Sequence, residues 1–221
     1  MVGPAPPPRT PRRNPVDVVA ATARRAPRAR ALRVDALRNR ERIVAAARDL
    51  FTEVGSQAPI DEVARRAGIG NATVYRHFPD RDALVLAVVR SVLKRTGDRA
   101  EAALAQGHDP FDALTRFVLA AADEQIGAMC VMLDGAYDPG DPEVKALEGR
   151  LNGLVETMLA RAKHAGMLRA DVDLADIIVA VAQLTRPLPD LVTVRRSSRR
   201  YLQLFLDGLR TPAHSTLPAE G

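Results

Sequence analysis

Residues 68–79 read Gly68-Ile69-Gly70-Asn71-Ala72-Thr73-Val74-Tyr75-Arg76-His77-Phe78-Pro79. The stretch sets a glycine-containing turn between two very short helical patterns. In the pattern before it, Ile60, Val63, Ala64 and Ala67 recur at helical spacing and Gly68 is the stop. In the pattern after it, Ile69, Val74 and Phe78 point inward and the polar residues between them face outward. Burying Asn, Thr, Tyr, Arg and His together would demand a partner for every polar group, so this short helix is a poor candidate for core. The layout is that of a helix-turn-helix, whose second helix enters the DNA major groove.

The surrounding chain reads as helix. A first helix is expected from Val34–Asp35 to about Val54, with Ile43, Ala47, Leu50, Phe51 and Val54 on one face and Gly55 after them. Pro59 suits the first turn of the second helix. Pro79 breaks the third, and Asp80 is a good N-cap for a fourth from Arg81 to about Ala105. That fourth helix is apolar nearly all round over Leu84–Val89, so it needs neighbours on several sides and can join the small bundle to the C-terminal part of the chain. Further helices are expected from Asp109-Pro110 to about Met132, Pro142 to about Ala165, Asp173 to about Thr185, and Arg195 to Leu209. Hydrophobic residues make up 47% of the 221, aromatics only 4%, and there is no Trp. An aliphatic, alanine-rich core suits packed helices better than sheets.

The expectation is an all-α chain. A disordered basic tail spans 1–33, a three-helix DNA-binding domain 34–80 with its motif at about 59–78, a helical domain 81–210, and a flexible tail 211–221. Residues 1–33 carry eight Arg and one Asp, which leaves 24 basic and 26 acidic residues in 34–221. The basic charge therefore belongs to the tail, which is either a nucleic-acid arm or a solvated leader. The single cysteine, Cys130, lies in an apolar context and reads as a small buried hydrophobe. The N-terminus has no continuous apolar segment of the signal-peptide kind, and no apolar run is long enough to cross a bilayer. A soluble, cytoplasmic protein without membrane partners is expected.

The third helix offers both kinds of DNA contact. Thr73, Tyr75 and His77 have donors suited to phosphate oxygens, and Arg81 can add a charge-assisted bond. Asn71 can pair with adenine and Arg76 with guanine, and Ala72 can meet a thymine methyl. Gly68 and Gly70 allow a tight turn and a close approach to the duplex.

From about Arg38 to Val89 the chain resembles the N-terminal domain of the tetracycline-repressor (TetR) family of bacterial transcription regulators. The matching pieces are Ile43–Gly55, Ile60-Asp61-Glu62-Val63-Ala64-Arg65-Arg66-Ala67-Gly68-Ile69, and Thr73-Val74-Tyr75-Arg76-His77-Phe78-Pro79-Asp80-Arg81-Asp82-Ala83-Leu84. The resemblance implies a homodimer of about nine helices per chain, the last two forming a four-helix interface. It also implies a palindromic operator, repression as the default, and a ligand pocket whose occupation shifts the fourth helix and respaces the two reader helices. The chain departs from the family at two places. Ala58-Pro59-Ile60 has no hydroxyl at the start of the second helix, and Gly70 stands where Ser is frequent. Arg38, Arg40, Arg42 or the tail can make up the missing phosphate contacts.

The last two helices each carry apolar residues on two faces. Leu174, Ile177, Ile178 and Val181 make one stripe, and Val179, Ala180, Ala182 and Leu184 most of a second. In the final helix Leu202, Phe205, Leu206 and Leu209 align, while Tyr201 and Leu204 are also apolar. The pattern fits a dimer surface through Leu174, Ile178, Val181, Leu202, Phe205, Leu206 and Leu209, or central burial within one chain. An effector of unknown identity would contact Phe111, Phe117, Met129, Met132, Tyr137, Met158 and Met167, with Gln125 or Asp123 as polar points. The four histidines form no close metal-ligand pair, and there is no phosphate loop or nucleophile elbow. No metal, cofactor or catalytic residue is expected. The alternatives are a ligand-independent DNA-architecture protein and a helical enzyme.

Overall fold

The computed structural model describes Gly3, 15–106, 109–124, 135–185, 198–213 and 215–218, with the backbone alone for 15–32. Among these residues the fold is all-helical: α1 Pro15–Val54, α2 Ile60–Ala67, α3 Asn71–His77, α4 Arg81–Gln106, α5 Pro110–Asp123, α6 Pro142–His164, α7 Leu174–Leu184 and α8 Ser198–Gly208. None of these helices is long and apolar enough to cross a membrane.

The expected start of the first helix is corrected. It begins at Pro15 and not near Val34, so 15–33 are helical where an unstructured tail was expected. Pro15 is tolerated in a first turn, and residues 18–33 are mostly Ala, Arg, Val and Leu, several of them strong helix formers, set against the interior Pro27, which removes one backbone hydrogen bond. Weighing the prolines and the charge hides that propensity. Compactness divides the chain between Arg42 and Ile43. In the first unit, residues 33–38 are exposed on every side, Val34 and Leu37 included.

The second unit holds two cores. One joins Ile43, Ala47, Leu50 and Phe51 of α1 to Val63 and Ala64 of α2, Val74 of α3, Phe78, and Leu84–Val92 of α4. The other joins Ala100 and Ala103 of α4 to Phe111, Leu114 and Phe117 of α5, Met158 of α6, Ile177 and Val181 of α7, and Leu202 and Leu206 of α8. Helix α4 therefore contributes its first half to one core and its second half to the other.

Aspartates mark the starts of several helices. Asp80 accepts from the Ala83 N–H at 2.7 Å. Asp109 and Asp141 cap α5 and α6 ahead of a proline, and Asp173 forms a capping box with Asp176 at α7. Helix α5 ends at Asp123, short of the expected Met132, with Glu124 as its C-cap. There the Glu124 side chain turns to Arg95 of α4, accepting from Nε and Nη2 at 2.9 Å each. The expected flexible C-terminal tail is held at Ser215 and Leu217. Arg169 donates to the Ser215 carbonyl at 2.8 Å, and the Leu217 N–H donates to Asp171 at 3.3 Å. Arg169 is nearly buried and ion-paired with Asp171, which is what makes the anchor.

Candidate nucleic-acid interface

The turn between α2 and α3 is set by one backbone conformation. Gly68 has φ 61° and ψ 40°, in the left-handed region. The Gly68 N–H donates to the Arg65 carbonyl at 3.1 Å and the Ile69 N–H to the Ala64 carbonyl at 3.0 Å. That is a Schellman motif, and Ile69 packs against the first core as its hydrophobic partner. Gly70 behaves otherwise. It is the N-cap of α3 at φ −68°, ψ 144°, and a Cβ added there meets nothing within 4 Å. The backbone needs a glycine at 68 and does not need one at 70.

Val74 and Phe78 anchor α3 to the core, which leaves the opposite face outward. Asn71, Ala72, Tyr75 and Arg76 are exposed, and Thr73 and His77 are half-buried. Tyr75 is 51% exposed. Neither the Tyr75 nor the Arg76 side chain makes a hydrogen bond or ion pair with the described residues. His77 leans on Phe78, with ring centroids 6.4 Å apart.

The neighbouring helix is held by its own charges. Glu62 accepts from Arg65 Nε at 2.7 Å and from Arg66 Nε at 3.1 Å, and Arg66 reaches on to Glu53 of α1 at 2.7 Å. The Arg65 guanidinium first, then Arg66, lowers the Glu62 carboxyl to about 2. Arg65 and Arg66, though exposed, are paired with carboxylates of the same chain, which separates them from Arg76.

Two site residues have partners that periodicity does not reveal. Arg81 donates from Nη1 to the carbonyls of Ser56 and Ala58, at 2.6 and 2.7 Å. It ties the turn between α1 and α2 through Nη1 alone, and Nε and Nη2 are not used in these bonds. Asn71 Nδ2 donates to Asp61 Oδ1 at 2.6 Å. Arg38, Arg40 and Arg42 are exposed and lie in the first unit.

The remaining expectations divide. Phe111, Phe117 and Met158 are brought together, but as tightly buried core. Met167 is half-buried against that same core, whereas Tyr137 packs against the other one. Gln125, Met129, Cys130 and Met132 lie outside the described residues. A surface pocket is lined by Arg169, Ala170, Asp171, Thr211, Ala213, Ser215 and Thr216, none of them an expected ligand residue.

The expected dimer face is corrected as well. Val181, Leu202, Leu206 and Leu209 are buried inside the monomer, and Leu174 and Phe205 are partly so. Of the seven only Ile178 is exposed, and it is joined by Val179, Tyr201 and Leu204, all four between 49 and 57% exposed. The periodicity shows two apolar faces per helix, and only packing decides which one faces in.

A short polar helix presented by a Schellman turn on an all-helical body defines a helix-turn-helix DNA-binding regulator. Likeness to known proteins gives its family. Residues 43–88 match the model of bacterial regulatory proteins of the tetR family, and 109–211 match the C-terminal domain of SbtR-like transcriptional regulators. A TetR transcription regulatory protein from Mycobacterium vanbaalenii has 35% identity and a TM-score of 0.60, over 81% of this chain and 99% of its own. A TetR transcriptional regulator from Streptomyces coelicolor has 31% identity and a TM-score of 0.61, over 79% and 99%. An HTH-type transcriptional regulator of Staphylococcus aureus is 40% identical over 60 residues, which span 27% of this chain and 32% of that protein. The chain belongs to the TetR family of DNA-binding transcriptional regulators.

Proposed function

We propose that the protein is a homodimeric repressor whose two α3 helices read the half-sites of a palindromic operator, and that a small molecule releases it. The observation that carries the DNA reading is the outward face of α3, where the Tyr75 and Arg76 side chains have no partner among the described residues. A guanidinium left unpaired on an exposed helix, beside two arginines that are paired, is suited to a guanine edge or a phosphate. Asn71 and Arg76 are proposed as base readers, and Thr73, Tyr75 and His77 as phosphate donors. Ala72 and Gly70 would give close approach.

Dimerisation is proposed through the exposed apolar face of α7 and α8, namely Ile178, Val179, Tyr201 and Leu204. A two-fold axis through it would present equivalent reader helices to equivalent half-sites. Ligand control is supported by a second core separate from the one that holds the reader helix, and by α4 belonging to both cores. Selection of binding sites from random duplex DNA tests the reading. A palindromic consensus bound more weakly as salt rises is expected, and equal affinity for random and selected DNA would overturn it.

A further inference from the structure

Asn71 opens α3, and Asp61 lies in the first turn of α2. Their side chains meet across the turn, Asn71 Nδ2 donating to Asp61 Oδ1 at 2.6 Å. Both residues are exposed and neither belongs to a core, so packing does not account for the pair. No cation pairs with Asp61 among the described residues, where Arg65 and Arg66 of α2 turn to Glu62 and Glu53.

A carboxamide has two orientations about its last torsion, which exchange its oxygen and its amino group. Beside a carboxylate they are not equivalent. With the amino group toward Asp61, an N–H meets an acceptor. Flipped, the Asn71 carbonyl oxygen would face a carboxylate oxygen with no proton between them. Asp61 therefore holds the amino group toward α2, leaving Oδ1 and the second N–H for an outside partner. An acceptor beside a donor matches the N6–H donor and N7 acceptor of adenine in the major groove. Guanine offers two acceptors there, O6 and N7, one of which would oppose the carbonyl.

We infer that Asp61 is a specificity-determining residue that acts through Asn71, orienting its amide to read adenine. The inference rests on α3 being the reading helix. It also explains a charge of the wrong sign for the surface, since a carboxylate near phosphates weakens binding to every sequence. Removing it should therefore tighten binding to random DNA and reduce discrimination. A merely structural residue would weaken both.

The test is site selection, then affinity measurements on the best duplex and its single-base variants. It uses the full chain and the variants Asp61→Ala, Asp61→Asn, Asn71→Ala and the double Asp61→Ala/Asn71→Ala. The wild type is expected to prefer adenine at one position per half-site by about 5- to 150-fold, the range of a bidentate contact. Asn71→Ala should abolish that preference, and either Asp61 variant should lose most of it at the same position while gaining affinity for random DNA. The double variant should resemble Asn71→Ala at that position. Full retention of the adenine preference by both Asp61 variants, with its loss in Asn71→Ala, overturns the role of Asp61 and leaves the reading helix intact. No change of preference in Asn71→Ala overturns the role of both residues, and a wild type without any base preference overturns the reading of α3 itself. Thermal unfolding is measured alongside. A lowered Tm with parallel loss of all DNA binding would make Asp61 structural and overturn the inference.

Discussion

Arg76, Arg65 and Arg66 are three arginines within twelve residues, and their chemistry differs only through their neighbours. Glu62 and Glu53 occupy Arg65 and Arg66, and nothing described occupies Arg76. Arg76→Ala is therefore expected to relax base preference at one position per half-site by about 1–3 kcal/mol. Tyr75→Ala should weaken selected and random DNA alike. Affinity titrations against both kinds of duplex check the pair. Arg76→Ala weakening every sequence equally would make Arg76 a phosphate contact. Arg81 shows the limit of such reasoning from sequence. Its place after a helix break fits a phosphate donor, yet its guanidinium bridges the carbonyls of Ser56 and Ala58, residues 25 and 23 positions earlier. A backbone carbonyl leaves no trace in the sequence.

At the scale of elements, the α2–α3 turn and the α7–α8 pair behave differently. The turn was legible, because a left-handed residue after a helix leaves a glycine in the sequence and Gly68 has φ 61°. Gly68→Ala is expected to lower stability by about 1–2 kcal/mol, the cost of a Cβ in the left-handed region. Gly70→Ala should be nearly neutral, since its φ is ordinary and its Cβ direction is open. Chemical denaturation of the two variants checks this, and equal losses would refute the distinction. For α7 and α8 the sequence held two apolar faces each and no sign of which faces in. Leu204→Asp is expected to yield a folded monomer that binds operator weakly. Leu202→Asp should unfold the chain, because Leu202 is fully buried and an unpaired carboxylate there has no partner. Sedimentation and circular dichroism separate the two outcomes. A Leu204→Asp protein that stays dimeric would place the interface elsewhere.

The second unit is held together as a whole by more than apolar contact. Glu124, with a side chain 6% exposed, accepts from Arg95 and Arg99 of α4 and lies 3.9 Å from Arg48 of α1. The carboxylate at the end of α5 is thus gripped from the two helices that also build the reader core. Arg95 above all, with Arg99 and Arg48 adding attraction, holds the Glu124 carboxyl below the usual carboxylate range. A depressed carboxyl stabilises the fold when ionised, so its contribution is present at neutral pH. It fades as pH falls below the ordinary glutamate value of about 4.3. Glu124→Gln is expected to cost about 1–3 kcal/mol at neutral pH, tempered because Arg95 can turn to water. The loss should shrink as the pH falls through the acid range. Urea unfolding of wild type and variant at neutral and acid pH measures it, and a difference independent of pH would mean that charge is not the cause.

Sequence alone determined most helix starts and the α2–α3 turn, but not where α1 begins or α5 ends. Helical spacing, Asp before Pro or at a first turn, and a glycine stop are local signals, each set by a few adjacent residues. The outward polar face of α3 was legible for the same reason, since Val74 and Phe78 mark the inward side. Basic composition misled at 15–33, where propensity along the chain makes a helix. Tertiary structure decided what depends on residues far apart: Arg81 on the α1–α2 turn, Asp61 on Asn71, Glu124 among three arginines, and the inward faces of α7 and α8. The reason is physical. A hydrophobic stripe or a charge is equally content with any suitable partner, and only the packed chain fixes which partner stands within reach.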